Sequence, residues 1–390
     1  MRFASLIERI GGESADCWAV HYEAVERLKA GADIIILSVG QETHEFTPEP
    51  IQQAAIDSIL SGRHHYTPTA GEMRLRQAIA ERHSMRTKQM VSANNVTVFA
   101  GAQNALFASS LCLLETGAEV IVLEPYYATY PATFTVGGAR LVSLPTRLAE
   151  NFQPDIDAIA AAMTPATRVL VLNSPNNPTG AVYTRERLQA LLDLCKARDI
   201  WIISDEVYAE FAPADDYTSI CSLAGADAIT ITVSSVSKSH RMTGWRCGWT
   251  VAPAVLAAHF AKLCLCMSYG LPPFIQDAAL YALETHMNCA TEIRQALIRR
   301  RDVLIRGLNG LSRTTLYSNP GAMFATLDIR ALNISGPRFA WDLLDRYNVS
   351  VLPCDGFGDS GRGLLRISLC ENEQRLATAC ERIRELIPPA

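Results

Sequence analysis

Lys238 and Arg246 lie eight positions apart in the segment Ser235-Val-Ser-Lys-Ser-His-Arg-Met-Thr-Gly-Trp-Arg-Cys-Gly-Trp249, and both could act on one small molecule. A lysine amine can form an imine with an aldehyde, and an arginine guanidinium can neutralise a phosphate. The lysine and arginine lie between the apolar runs 228–233 and 248–252, which are typical of buried strands. The spacing predicts a site for a cofactor that carries both groups, with a solvated turn as the simpler alternative.

Two other segments place polar residues where predicted strands end. Asn173-Ser-Pro-Asn-Asn-Pro-Thr-Gly180 could aim an asparagine amide at a ligand, or it could be a plain connection between a strand and a helix. Asp205 ends a strand that is otherwise apolar. A buried carboxylate needs a partner, and a protonated pyridine nitrogen suits it, whereas capping of a helix is the alternative. Pyridoxal phosphate combines this ring with the aldehyde and the phosphate.

Short apolar strands alternate with helix-period segments from about Pro50 to Leu280, which indicates a mostly parallel sheet covered by helices. The predicted strands are 96–99, 119–123, 168–172, 200–204 and 228–233. A helix is predicted over 184–198, and a long helical region over 274–308. Beyond it the pattern predicts strands over 322–329 and 364–369 and helices over 338–347 and 373–387. The chain of 390 residues is therefore predicted to have an α/β fold with a second, smaller domain.

The composition argues against several classes of partner. A net charge of -5 and a pI near 5.9 provide no basic surface for nucleic acid or an anionic membrane. The segment Met1–Ile10 has charges within its apolar pattern, so a signal peptide is not expected. Eleven cysteines occur without a CxxC pair and are expected to be buried, reduced thiols of a cytoplasmic protein. No metal site is predicted.

Three motifs together carry a resemblance to a known family. Asn-Pro-Thr-Gly, Ser-Asp-Glu-Val-Tyr and Ser-x-Ser-Lys-(seven residues)-Arg occur in this order, and the chain resembles the fold-type-I pyridoxal-phosphate aminotransferases of class I/II. The resemblance implies a mostly parallel seven-stranded sheet between helices, and a smaller α+β domain. It places the large, cofactor-binding domain at 46-280, and it builds the small domain from 1-45 and 281-390.

The resemblance also assigns roles to matching positions. The implied catalytic set is Lys238, Asp205 and Tyr208, in which Lys238 would hold the cofactor's aldehyde and then carry a proton. Asp205 would pair with the pyridine nitrogen, and Asn177 with Tyr208 would hold the ring hydroxyl.

Further positions match residues that hold the rest of the cofactor. Ser235 and Arg246 would bind the phosphate, together with the backbone amides of Ala102 and Gln103 where a strand meets the start of a helix. Tyr127 matches the aromatic position that stacks on the cofactor ring, which tyrosine can do as well as the more common tryptophan.

The implied substrate-binding set is Gly40, Asn177 and Arg366. Arg366 matches the arginine that binds the substrate α-carboxylate, and Gly40 would make a backbone contact to the same group. A surface arginine and an ordinary turn glycine are the alternatives. Tyr66 matches a tyrosine that reaches the phosphate of the neighbouring subunit, so the resemblance implies a homodimer.

Gly356-Phe-Gly-Asp-Ser-Gly361 has the glycine spacing of a dinucleotide-binding loop. That loop must open a helix, whereas a predicted strand follows here. The segment is therefore predicted to be a flexible loop near the substrate side of the small domain.

Three functions remain open at this point. The first is an aminotransferase that follows a ping-pong mechanism, and the second is a β-lyase, decarboxylase or synthase on the same fold. The third, a non-catalytic cofactor-binding protein, is disfavoured because each matching catalytic position holds a competent residue. Several stretches, among them Ala100-Gly-Ala-Gln and Met242-Thr-Gly-Trp-Arg, resemble the bacterial arginine:pyruvate transaminases. This implies arginine or another basic amino acid as the donor and a 2-oxo acid such as pyruvate as the acceptor.

The segment Ser38-Val-Gly-Gln-Glu-Thr-His-Glu-Phe-Thr-Pro48 departs from the family, because the common Gly-x-Pro-Asp pattern is missing. In the family this segment covers the substrate side chain. Glu42 or Glu45 could therefore face a substrate guanidinium, and two solvated loop acids are the alternative.

Overall fold

The computed structural model of the chain describes residues 2–4, 6–10, 16–42, 45–213, 215–285 and 288–387. These residues form strands that belong to three sheets. In chain order the strands are β1 (Ile35–Ile36), β2 (Val96–Phe99), β3 (Glu119–Glu124), β4 (Arg140–Pro145), β5 (Thr167–Asn173), β6 (Trp201–Asp205), β7 (Thr230–Ser235), β8 (Gly248–Val251), β9 (Thr315–Tyr317), β10 (Phe324–Asp328), β11 (Val349–Ser350), β12 (Leu352–Pro353) and β13 (Leu364–Ser368).

The largest sheet has seven strands in the order β2-β8-β7-β6-β5-β3-β4. Its neighbours pair in parallel except at β8, which is antiparallel to both β2 and β7. In β3, Val120 and Val122 pack into one apolar cluster, and Ile121 and Leu123 pack into another. Successive side chains of a strand point to opposite faces, so this sheet is buried on both sides. The predicted fold class is confirmed.

The helices of the described residues cover this sheet and complete the smaller unit. They are Leu6–Arg9, Ala19–Lys29, Glu49–Leu60, Met73–Thr87, Ala102–Leu113, Tyr130–Thr135, Ile156–Ala162, Arg185–Ala197, Val236–Ser239, Ala254–Met267, Pro273–Glu284, Cys289–Leu308, Gly336–Tyr347 and Glu373–Leu386. Among the described residues, no helix combines the length and the apolar character that a membrane span requires.

Two smaller sheets bring together the beginning and the end of the chain. β12, β13, β10 and β9 form an antiparallel sheet in this order, and β1 pairs in parallel with β11. Ile35 pairs with Val349 and Ile36 with Ser350, which joins the N-terminal segment to the C-terminal part. A small domain built from both ends agrees with these pairings, and the boundaries given above remain a prediction.

The carboxyl ends of β5, β6 and β7 lie side by side. Asn173 ends β5 and pairs in register with Asp205, which ends β6 and pairs with Val233 of β7. Ser235 ends β7, and the helix that carries Lys238 follows immediately. Parallel strands direct their carboxyl ends to one edge of a sheet, so these polar residues gather there.

The Gly356–Gly361 segment forms two short 3₁₀ turns, Cys354–Phe357 and Asp359–Gly361, and does not open an α-helix. Its backbone is bonded to the end of β3. The amide of Tyr126 donates to the Phe357 carbonyl at 3.0 Å, and the amide of Ser360 donates to Glu124 at 2.9 Å. The segment is thus a hydrogen-bonded turn rather than the flexible loop that its sequence predicts, because these backbone groups find partners.

All eleven thiols are free, and nine of them are buried as predicted. The prediction is wrong for Cys266, which is exposed, and for Cys112, which is half-buried. Cys264 and Cys266 lie on the same helix, where two positions correspond to about 200° of rotation. Cys264 therefore faces the core while Cys266 points outward.

Candidate active site

A cavity of about 200 Å³ lies at the carboxyl edge of the large sheet. Apart from Tyr66, it gathers all the site residues that the sequence predicts. The predicted residues that line it are Gly40, Ala102, Gln103, Tyr127, Asn177, Asp205, Tyr208, Ser235, Lys238, Arg246 and Arg366. They come from segments that are as much as 326 positions apart, from Gly40 to Arg366, so the fold brings them together.

Lys238 lies in the short helix Val236–Ser239, and its Nζ donates a 2.7 Å hydrogen bond to the carbonyl oxygen of Gly40. Burial lowers the pKa of this amine to about 8, and the positive charges of Arg366 and Arg246 act in the same direction. A lysine with such a pKa is neutral, and therefore nucleophilic, in a much larger fraction near neutral pH than a solvated lysine.

Asp205 is buried at the end of β6. Its Oδ2 accepts a 2.7 Å hydrogen bond from the hydroxyl of Tyr130, and its Oδ1 accepts one of 3.3 Å from the amide of Val207. Burial raises the pKa of Asp205 to about 6, although these two bonds lower it. A cation placed beside this carboxylate would favour its ionised form.

Donors suited to a phosphate also line the cavity. The helix Ala102–Leu113 begins after Gly101, so the amides of Ala102 and Gln103 belong to its first turn and lack acceptors within the helix. Gly101 has a φ of 86°, and a side chain there would collide with the guanidinium of Arg246. Buried Ser235 lines the same cavity, and its Oγ accepts a 3.3 Å hydrogen bond from the amide of Ser237. This set combines amides, a hydroxyl and a positive charge.

Arg366 is 1% exposed in β13, so the surface position considered as an alternative is excluded. Its Nη1 donates to Oδ1 of Asn177 at 3.0 Å, and its Nη2 donates to the Ser38 carbonyl at 2.7 Å. Nε has no hydrogen-bond partner among the described residues. The bonds of this buried cation therefore go to neutral oxygen atoms, which leaves its charge to be compensated by an anionic ligand.

Three aromatic rings that the sequence did not single out surround this guanidinium. The ring centroids of Trp18, Phe324 and Phe357 lie 5.5, 4.3 and 5.4 Å from its central carbon. Such distances allow cation–π attraction. Their positions in sequence give no signal of this role, because each ring comes from a different part of the fold.

Two tyrosines of the predicted set form part of the cavity wall. Burial raises the pKa of both Tyr127 and Tyr208, so their hydroxyls are protonated at neutral pH. The Tyr208 ring packs 5.9 Å from that of Phe324. The Tyr127 ring packs edge-on against Tyr130 at 5.9 Å. Both can thus offer a fixed hydroxyl or ring face to a ligand.

Tyr66 lies outside this cavity. It is 85% exposed, its ring lies 4.8 Å from that of Tyr269, and it lines a separate surface cavity. The single chain therefore does not bring Tyr66 to its own site, and the role across a subunit interface stays a prediction.

Glu42 is buried and already binds two guanidinium groups of the chain. Its Oε2 lies 2.6 Å from Nε of Arg241, and its Oε1 lies 2.6 Å from Nη1 of Arg300. This pairing argues against the hypothesis that Glu42 binds a substrate guanidinium. Glu45 is exposed and borders a second cavity of about 560 Å³, which shares Gly40 and Lys238 with the first.

The chain has close relatives among characterised proteins. Residues 32–383 match the family model described as aminotransferase class I and II. The chain is 47% identical over 383 residues to arginine–pyruvate transaminase AruH of Pseudomonas aeruginosa, which covers 98% of this chain and 97% of that protein. It is 33% identical over 372 residues to the aspartate/prephenate aminotransferase of Thermus thermophilus, with 95% of each chain covered.

Solved structures agree with these matches. The aspartate aminotransferase of Thermus thermophilus with maleate superposes with a TM-score of 0.93 at 32% identity, covering 99% of this chain and 100% of that one. An aspartate aminotransferase of Thermotoga maritima gives a TM-score of 0.92 at 30% identity, covering 98% and 99%. The predicted family and the predicted activity class are confirmed: this chain belongs to the class I and II aminotransferases, a family of enzymes that use pyridoxal phosphate.

Proposed function

We propose that this aminotransferase binds pyridoxal phosphate in the 200 Å³ cavity and moves the amino group of a basic amino acid, arginine first, to a 2-oxo acid such as pyruvate. The observation that carries the cofactor assignment is that Lys238, Asp205 and Arg246 face one cavity. The choice of donor and acceptor is supported by the 47% identity to arginine–pyruvate transaminase AruH.

The donors and acceptors around the cavity fit the cofactor. When bound, pyridoxal phosphate supplies an aldehyde for the amine and a pyridine ring that accepts electrons. Burial raises the pKa of the Asp205 carboxylate, and a protonated ring nitrogen beside it would favour the ionised form. The residues that would hold the remaining groups are Ala102, Gln103, Tyr127, Asn177, Tyr208, Ser235 and Arg246.

Arg366 would bind the α-carboxylate of the substrate. The Nε of its buried guanidinium has no hydrogen-bond partner within the described part of the chain, and its planar donors suit a carboxylate. Asn177 accepts a hydrogen bond from Arg366 and would orient it. The backbone of Gly40 would contact the same substrate carboxylate. The substrate side chain would then extend toward the second cavity, which begins at Gly40 and Lys238.

Lys238 would move the proton that leaves the substrate α-carbon. Its Nζ needs to be neutral to accept that proton, and the pKa of about 8 makes this form accessible. The same amine and the same arginine would serve the acceptor, because both substrates share an α-carboxylate. Donor and acceptor therefore occupy the cavity in turn, which is the basis of a ping-pong scheme.

The functional enzyme is proposed to be a homodimer in which Tyr66 reaches the partner's site. Support comes from the exposure of Tyr66, which lines a separate surface cavity and not the 200 Å³ cavity of its own chain. Sedimentation equilibrium is expected to give twice the chain mass of 42.7 kDa. A monomer with full activity would contradict the assignment.

A two-stage experiment tests the proposed reaction. The loaded protein is mixed with L-arginine in the absence of an acceptor, and the cofactor form and the new 2-oxo acid are identified by absorption and mass spectrometry. Pyruvate is then added, and alanine is measured. Formation of 2-oxo acid and alanine in equal amounts is expected. Release of carbon dioxide with unchanged cofactor would indicate a decarboxylase, and transfer from aspartate but not arginine would overturn the proposed donor.

A further inference from the structure

Tyr130 is a buried tyrosine whose hydroxyl donates a 2.7 Å hydrogen bond to Oδ2 of Asp205. The second carboxylate oxygen receives the longer bond, of 3.3 Å, from the amide of Val207. Tyr130 stands behind the cavity wall, whereas Asp205 lines the cavity. The tyrosine therefore contacts the carboxylate from the side away from a ligand.

The hydrogen bond from the Tyr130 hydroxyl favours the ionised form of the Asp205 carboxylate. Burial raises the pKa of Asp205 to about 6, the bonds from Tyr130 and Val207 lower it, and the charge of Glu206 raises it. Burial also raises the pKa of Tyr130 well above its ordinary value, so its hydroxyl remains a donor at neutral pH. A neutral donor favours the ionised carboxylate without introducing a competing cation.

The surrounding contacts hold Tyr130 in place. Its ring packs edge-on against Tyr127 at 5.9 Å and against Phe134 at 5.3 Å, and its amide donates to the Tyr127 carbonyl at 2.9 Å. The side chain of Gln103 accepts a 2.9 Å hydrogen bond from the Thr129 hydroxyl and donates one of 2.7 Å to the Thr133 hydroxyl. The turn that supplies Tyr127 to the cavity thus also fixes the donor to Asp205.

We propose that Tyr130 is a positioning residue that keeps the Asp205 carboxylate ionised and directed at the ring nitrogen of the cofactor. This proposal rests on the proposed function, since the ionised carboxylate would pair with the ring nitrogen of bound pyridoxal phosphate. Without the hydroxyl, the proton between the ring nitrogen and Asp205 would shift toward the carboxylate. The ring would then accept electrons less readily.

Tyr130→Phe removes only the hydroxyl, and Tyr183→Phe is a matched control. Tyr183 is equally buried, and in the described part of the chain its hydroxyl makes no hydrogen bond to Asp205. Each protein is loaded with pyridoxal phosphate that carries ¹⁵N in the ring, and the ¹⁵N resonance is recorded by NMR. Tyr130→Phe is expected to move the resonance toward that of a neutral pyridine and to lower kcat about tenfold, as the loss of one bond to a charged group would.

The control is expected to keep both the resonance and kcat of the unsubstituted enzyme. An unchanged resonance in loaded Tyr130→Phe would overturn the proposal, and so would an equal shift in both variants, because that shift would reflect general loosening. Failure of the unsubstituted protein to take up the labelled cofactor would instead contradict the proposed function.

Discussion

Oε2 of Glu42 accepts a 2.6 Å hydrogen bond from Nε of Arg241, three positions after Lys238. Oε1 of the same carboxylate binds Nη1 of Arg300 at 2.6 Å. Two positions before Glu42, the carbonyl oxygen of Gly40 accepts the bond from Nζ of Lys238. One buried carboxylate therefore joins the N-terminal segment to the lysine loop and to the helix Cys289–Leu308, at the place where the sequence departs from its family.

Glu42→Gln is expected to lower the free energy of unfolding by about 3 kcal/mol, because two largely buried guanidinium groups lose their shared carboxylate. Urea unfolding of the protein measures this loss. Glu23→Gln is the control, since Glu23 pairs with Arg27 on the surface and its loss should cost less than about 1 kcal/mol. Equal losses in the two variants would contradict the buried role of Glu42.

Donor selectivity is expected to depend on Glu45 and not on Glu42. Glu45 is exposed at the second cavity, where it can meet a guanidinium, whereas both Glu42 oxygens are occupied. Glu45→Gln should lower the kcat/KM ratio of arginine to alanine about tenfold, as the loss of one charge-assisted bond would. Glu42→Gln should leave this ratio within about twofold. A loss of selectivity in Glu42→Gln and not in Glu45→Gln would mean that Glu42 binds the substrate guanidinium.

The large sheet could be predicted because its central strands are buried on both faces and therefore read as continuous apolar runs. β4 was missed: it lies at the edge of the sheet, and its residues are only half-buried or exposed. The two-residue strands β1 and β11 have no pattern of their own. They exist because Ile35 meets Val349, more than three hundred positions away.

Eleven residues that line the 200 Å³ cavity could be predicted, because they lie in short motifs that can be read locally in the sequence. The hydrogen-bond partners of those residues could not be predicted. Tyr130 is one of several tyrosines in one segment, and only the fold shows that its hydroxyl reaches Asp205. The pairing of Glu42 with Arg241 and Arg300 likewise depends on packing between distant elements, so a solvated acid was the more ordinary expectation.

Lys238→Ala is expected to lower kcat by at least about 10³-fold, because the variant would lose both the proposed attachment point of the cofactor and the proposed carrier of the proton. Cofactor binding should survive through the phosphate and ring contacts. Steady-state assays and absorption spectra of the loaded variant measure the two effects. Lys262→Ala, on the outer surface of the helix Ala254–Met267, should behave as the unsubstituted enzyme. A kcat of Lys238→Ala within about tenfold of the unsubstituted enzyme would contradict the proposed role of Lys238 in proton transfer.

The rate at which the cofactor-free protein attaches pyridoxal phosphate should rise with pH and be half-maximal near pH 8. The neutral amine is the reactive form, and burial together with Arg366 and Arg246 lowers the pKa of Lys238 from 10.5 to about 8. Below that pH the protonated amine predominates and the rate falls. Stopped-flow absorption across this range gives the midpoint. A midpoint near 10 would show that the amine is solvated in the cofactor-free protein.

Arg366→Lys is expected to raise the KM of donor and acceptor alike, by about tenfold or more, since both substrates share the α-carboxylate. A lysine cannot reproduce the bidentate geometry, and it would lose the stacking of the guanidinium against Phe324. Steady-state kinetics with each substrate varied in turn measure the effect. Arg338→Lys, on an exposed helix face, serves as the control. A rise in KM for the donor alone would mean that Arg366 binds the side chain of the donor rather than the group common to both substrates.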